Sequence, residues 1–243
     1  MKKAFTLVEL IFVIVVVGIL AFALWPKKQP IQALEAARQI VAHIRYTQHL
    51  ALNDDKFATH TDTGGTGNSI AIDWYKRMWR IVFSNQNKIE GKCDNTGWRY
   101  AVYQNIGNDL SDGGQPNGEI EVAQNPAEPG KVLSGCFSGI YKNTTSSMDL
   151  NKAYGIENIN LDEFANRGNQ GIIFDELGRA YPSGNWSKPY SDYNSFKLDN
   201  GSYGRITLSA KDGSVAKILV FAETGYACVE NVDLGCKAPA TNP

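Results

Sequence analysis

The chain has almost no excess of charge. Its 243 residues carry 24 Lys and Arg against 25 Asp and Glu, a formal net charge of −1. So even a balance does not recruit nucleic acid or anionic lipid by bulk charge. Histidine is scarce at 3 residues, and His43, His49 and His60 lie far in sequence from the 4 cysteines. No Cys-x-x-Cys pair occurs, which argues against a zinc site. There is no fixed-period repeat and no long low-complexity segment. The glycine-rich stretch Thr61–Asn68 lacks the Gly-Lys-Ser/Thr that closes a phosphate loop, and no strand–helix–strand context surrounds it. No Ser, His and Asp share a nucleophile-elbow context, and no lone cysteine stands beside a candidate base. Asp175 and Glu176 are adjacent, so on a strand they would face opposite ways; a turn suits them better, with Leu177-Gly178 following. Asp192, Asp199, Asn200, Asp212 and Asp233 lie in polar loops of a kind that can hold calcium, but no stretch has EF-hand ligand spacing. The sequence therefore assigns no catalytic residue, no metal ligand and no cofactor.

What the chain does have is one long hydrophobic run, and it comes first. Phe5 to Trp25 is apolar except for Thr6, Gly18 and Glu9, and Lys2 and Lys3 precede it. About 21 residues at roughly 1.5 Å each span about 30 Å, the thickness of a bilayer's hydrocarbon core. Two lysines on the short side hold it in the cytoplasm, so the chain after Trp25 is expected outside, in the periplasm or at the cell surface. Glu9 is out of place: a carboxylate inside an apolar helix costs a few kcal/mol or more in lipid, which marks it as a functional residue by default. The plainer alternative is a carboxylate near the helix end that snorkels to the headgroups or is protonated.

Lys2-Lys3-Ala4-Phe5-Thr6-Leu7-Val8-Glu9 followed by an apolar run resembles the prepilin leader of type IV pilins and type II secretion pseudopilins. The resemblance implies that a dedicated membrane peptidase cuts between Ala4 and Phe5 and methylates the new amine of Phe5. It makes Glu9 the fifth residue of the mature chain and the assembly carboxylate, and it places Pro26 where family members carry a helix-kinking proline. The residue before the cut is usually Gly, whereas here it is Ala4, the next smallest side chain, so processing is expected to survive but more slowly. The implied partners are prepilin peptidase, other pilin or pseudopilin subunits and the bacterial inner membrane. In low dielectric the Glu9 charge is offset by the Phe5 amine of a neighbouring subunit, which favours a stagger of about one helical turn.

Beyond the anchor the chain divides into an amphipathic continuation of the helix over residues 26–54 and an extracytoplasmic, β-rich globular domain over 55–243, with 1–4 as leader and 5–25 as transmembrane helix. In the continuation Leu34, Ala37, Val41, Ile44 and Ala51 recur at mostly three-to-four spacing and make one apolar stripe; Glu35, Arg38, Arg45 and Gln48 lie off its centre. His43 and His49 are six apart, share no face, and read as ordinary surface residues. Strands are expected at Ser69–Trp74, Trp79–Ser84, Trp98–Gln104, Glu119–Val122, Ile156–Leu161, Gly171–Phe174, Gly204–Ser209, Ala216–Phe221 and Gly225–Val229, the first long ones alternating as half-buried strands do. Lys211-Asp212-Gly213-Ser214 is a strong hairpin signal. Segments Asn105–Pro116, Gln124–Pro129 and Tyr181–Asn194 read as loops. No strand–helix alternation occurs, so the sheet is expected to be antiparallel. An even cysteine count in an exported domain argues for two disulfides. Of three possible connectivities, proximity favours Cys228 with Cys236 and leaves Cys93 with Cys136.

The helix, then Trp79-Arg-Ile-Val-Phe83, Gly171-Ile-Ile-Phe-Asp-Glu-Leu-Gly178, Gly204-Arg-Ile-Thr-Leu-Ser209 and a last hairpin ending in Glu223-Thr-Gly225 resemble the minor pseudopilin and minor pilin class called GspH/FimT-like. That resemblance implies an α+β, pilin-like fold in which the long amino-terminal helix packs on an antiparallel sheet or β-sandwich. Members that take up DNA carry arginines after the last-hairpin glycine. Here the segment reads Gly225-Tyr-Ala-Cys-Val-Glu230, which argues against DNA binding, although Lys188, Lys197, Arg205, Lys211 and Lys217 could gather into a basic patch. The expected role is a minor subunit of a secretion or pilus filament. The alternative is a pilus-associated module recognising DNA or a surface.

Overall fold

The computed structural model describes residues 7–23, 31–54, 78–87, 93, 96–104, 116, 118–137, 140–164, 170–183 and 203–238. The chain forms two units, Met1–Pro30 and Ile31–Pro243. In the first, helix α1 covers Leu7–Ala23. The expected strand Ser69–Trp74 and the Thr61–Asn68 stretch lie outside the described residues, as does Pro26.

In the second unit, helix α2 runs from Gln32 to Leu52 and buries Ala33, Ala36, Ala37, Ile40, Val41, Ile44, Thr47 and Ala51. This is the three-to-four periodicity of an amphipathic helix, but the face is wider than the expected stripe, and Leu34 sits on its flank. The width has a cause: α2 packs against strands of two separate sheets. Alanines at the start of the face bring the helix close, and Ile40 and Ile44 fill the centre of the core.

Strands β1 (Trp79–Gln86), β2 (Gly97–Gln104), β4 (Gln170–Phe174) and β5 (Ala180–Pro182) form one sheet in the order β2-β1-β4-β5; β3 (Ile156–Asn160), β6 (Tyr203–Ala210), β7 (Val215–Phe221) and β8 (Ala227–Val229) form a second in the order β3-β6-β7-β8. Every pairing between these strands is antiparallel. The described fold is thus α+β with antiparallel sheets.

The central strands are not half-buried. In β2, Trp98, Tyr100 and Val102 join α2 in the main core, while Ala101 and Tyr103 enter a second cluster with Val82, Val122, Val132, Phe137 and Ile140. Residues 118–137 and 140–149 fold back over this outer face and cap it through short bridges such as Ala101 to Ser134 and Tyr103 to Val122. The expected strand Glu119–Val122 is instead a 3₁₀ turn over Glu119–Glu121, because Val122 alone of that run bridges the sheet while Ile120 points to solvent. Arg80 and Arg99 are buried on the same side: the Arg80 guanidinium lies over the Tyr103 ring at 5.4 Å, and Arg99 Nη1 donates to the Cys136 carbonyl at 2.8 Å.

Among the described elements that escape the sequence reading are one short helix and one short strand. Helix α3 (Leu150–Tyr154) follows the fold-back; Asp149 caps it by accepting from the Lys152 N–H, and Gly155 closes it in the left-handed region at φ 61°. Strand β5 occupies the start of the expected loop Tyr181–Asn194. It is an edge strand, where Pro182 forfeits no ladder hydrogen bond.

Candidate functional site

Helix α1 reads Leu-Val-Glu-Leu-Ile-Phe-Val-Ile-Val-Val-Val-Gly-Ile-Leu-Ala-Phe-Ala, and its large apolar side chains from Leu7 to Leu20 are all exposed. A helix apolar on every face has no polar side to turn to water. Its single charged residue is Glu9, in the first turn, where a carboxylate faces the positive end of the helix dipole. Seventeen residues (17) at roughly 1.5 Å each extend about 25 Å. Among the described residues no helix is long and apolar enough to cross a membrane; the expected span Phe5–Trp25 passes both ends of the described helix. Ala4 and Phe5, the expected cleavage pair, also lie outside the described residues.

In the globular unit Cys93 is joined to Cys136 and Cys228 to Cys236. The first bond ties the chain before β2 to the fold-back segment, beside Arg99. The second closes the turn after β8, where Asp233 accepts from the Val229 N–H at 2.8 Å.

The far end of α2 is a junction of three polar ties. Gln48 Nε2 donates to the Gly178 and Thr224 carbonyls at 2.8 and 2.6 Å, and Arg45 donates twice to the Ala227 carbonyl at 3.1 and 2.8 Å. The β4–β5 turn, held by buried Asp175, and the β7–β8 turn therefore meet beneath one helix. Asp175 accepts from Leu177 and Arg179 N–H, from Arg179 Nε at 2.7 Å and from the Tyr181 hydroxyl at 3.0 Å. This places Asp175 in a turn-closing role.

The start of α2 is capped from far away. Ile31 makes no side-chain cap. The β6–β7 hairpin turn supplies it: Ala33 N–H donates to Ser214 Oγ at 2.9 Å and Gln32 N–H to Asp212 Oδ2 at 3.3 Å. The Asp212 carboxyl is held below the usual carboxylate range, chiefly by the Ser214 hydroxyl and further by backbone N–H groups.

A polar chain runs along the middle of α2. Gln39 and His43 meet Tyr100 of β2, and Tyr154 of α3 donates to Gln39. His43 is thus no ordinary surface residue; burial pushes its pKa down to about 4. Burial pushes the Tyr100 phenol up, against the opposing pull of the Gln39 hydrogen bond, and Tyr154 is pushed up by burial and then by Glu35. His49 is exposed.

Of the five basic candidates, Arg205, Lys211 and Lys217 lie among the described residues, along the β6–β7 hairpin. Arg205 pairs with Glu230 at 3.3 Å and lies over the Tyr203 ring at 5.7 Å. Lys211 sits in the hairpin turn, six residues and roughly 20 Å along the strand from Arg205, and Lys217 is registered with Thr207 between them. Lys188 and Lys197 lie outside the described residues, as do Asp192, Asp199 and Asn200. Among the described residues no three His, Cys, Asp or Glu side chains are grouped to hold a metal ion. Tyr226, after the last-hairpin glycine, has the Arg45 guanidinium over its ring at 5.2 Å, a contact that no local sequence signal announces.

No curated protein and no solved structure matches this chain. Residues 1–25 match the family model described as the prokaryotic N-terminal methylation motif. With Glu9 in the first turn of an apolar helix, that motif supports a type IV pilin-like or pseudopilin subunit, processed by prepilin peptidase and assembled with other pilin subunits.

Proposed function

We propose that the protein is a non-enzymatic minor pilin or pseudopilin of a type II secretion or type IV pilus filament. Its leader is removed between Ala4 and Phe5, and Phe5–Trp25 then anchors it in the inner membrane as a single pass, with the globular unit outside the cytoplasm. The observation that carries this reading is Glu9, one carboxylate in the first turn of a helix apolar on every face. In lipid that charge is costly unless a cation answers it, and the freed amine of Phe5 on a neighbouring subunit would supply one. The helix then serves both as anchor and as polymerisation device. The loose likeness of the globular unit to GspH/FimT-like minor subunits supports a low-copy position in the filament.

Replacing Glu9 by Val tests this. Membrane fractionation should find the variant inserted as well as the native chain, while its share in sheared filaments falls at least tenfold. Equal incorporation of both forms would end the proposal. Mass spectrometry of native membranes should also find a chain beginning at methylated Phe5.

A further inference from the structure

Gln39 and His43 sit one turn apart on α2 and meet Tyr100, which is fully buried on β2. A single carbonyl fixes which way the Gln39 amide lies. Ser147 O can only accept, so the Gln39 group 2.9 Å from it is the amide nitrogen. The same nitrogen donates to Tyr100 Oη at 2.7 Å, and Gln39 Oε1 accepts from the Tyr154 hydroxyl at 2.6 Å. Tyr100 Oη is thus already an acceptor, and His43 Nδ1, 2.8 Å away, is placed to accept its one proton in this fully buried site. In that arrangement Nδ1 is a bare acceptor, and the neutral ring carries its proton on Nε2.

We propose that this chain is an acid-operated latch, in which a proton on His43 Nδ1 reverses the bond to Tyr100 and frees the middle of α2 from β2 and α3. With Nδ1 protonated, Tyr100 would receive two donors, and its own proton would need a new acceptor in a fully buried site. The site would also hold a cation with little water around it. The charged groups on the packed elements are Arg99 on β2, Asp149 and Lys152 at α3, and Glu35, Arg38 and Arg45 on α2 itself. None of them contributes to the lowering at His43, which comes from burial alone. A ring whose pKa is lower when packed than when released favours the packed state fully above the released value near 6.5. That preference is lost as pH falls from about 6.5 toward about 4.

Hydrogen–deuterium exchange on the full-length protein in detergent micelles, corrected for the intrinsic pH dependence of exchange, reads the latch. Opening of α2 peptides should rise about tenfold per pH unit between about 6 and 4.5, while β6 peptides stay protected. His43→Gln keeps an acceptor but does not titrate, so its α2 opening should be flat over that window. Equal acid sensitivity in His43→Gln, or native α2 protection unchanged down to pH about 4.5, would overturn the proposal. If His43→Gln does not fold, the imidazole resonances of the native chain decide, with His49→Asn and His60→Asn identifying the other two rings. A His43 midpoint below about 5 together with acid opening of α2 supports the latch, and a midpoint above about 6 sinks it.

Discussion

Single residues show how tightly the globular unit is pinned where its turns meet. Gly225 lies at φ 62°, and a Cβ there would overlap the Gly178 carbonyl oxygen and the Gln48 amide. Gly225→Ala therefore meets both left-handed strain and a backbone neighbour that cannot swing aside. Urea titration should find it about 2–3 kcal/mol less stable than the native chain; a loss under about 0.5 kcal/mol would mean the junction is looser than its geometry implies. Ile40, fully buried where α2 faces the core, sets a reference for the same measurement, since Ile40→Ala should cost about 2–5 kcal/mol. Among the residues singled out from the sequence, Asp175 reads as a turn former and closes a turn, whereas His43 reads as exposed and is half buried.

At the scale of elements, the β6–β7 hairpin does more than join two strands. Its turn residues Asp212 and Ser214 provide the acceptors that α2 lacks at its own first turn. Ser214→Ala should lower stability by about 1 kcal/mol, the usual cost of losing a helix cap, and raise exchange at the start of α2 without affecting its last turn. Because the Asp212 carboxyl is held below its ordinary range, its support is present above that range and fades as pH drops through the depressed value. The hairpin itself is written in Lys211-Asp-Gly-Ser214; its second duty is not, since the amides it serves lie about 180 residues away in the chain. Helix α3 had a legible signature in Asp149 and Gly155, but one short turn gives periodicity too little length to register. Strand β5 was hidden by Pro182, which only an edge position tolerates.

For the molecule as a whole, the two disulfides close loops of very different size, with sequence separations of 43 and 8. If constraint of the unfolded chain is what they contribute, replacing Cys93 and Cys136 together by Ser should cost about 4 kcal/mol, and replacing Cys228 and Cys236 about 2.5 kcal/mol. Thermal melts of the two double variants should rank in that order. A reversed order would place the value of the second bond in packing around Tyr203 and Leu219, which share its cluster.

The sequence by itself determined the apolar first helix with its lone carboxylate, the expectation of processing before Phe5, the antiparallel strands and the main face of α2. Each of these is a local pattern of side chains repeated along a few turns or a few pleats. Only the tertiary structure decided that β1 and β2 are covered on both faces and that α2 bridges two sheets, capped by a distant hairpin. It alone placed His43 beneath a tyrosine. Those outcomes depend on which distant groups come to share a site, and burial and hydrogen-bond direction are properties of that meeting rather than of any stretch of chain.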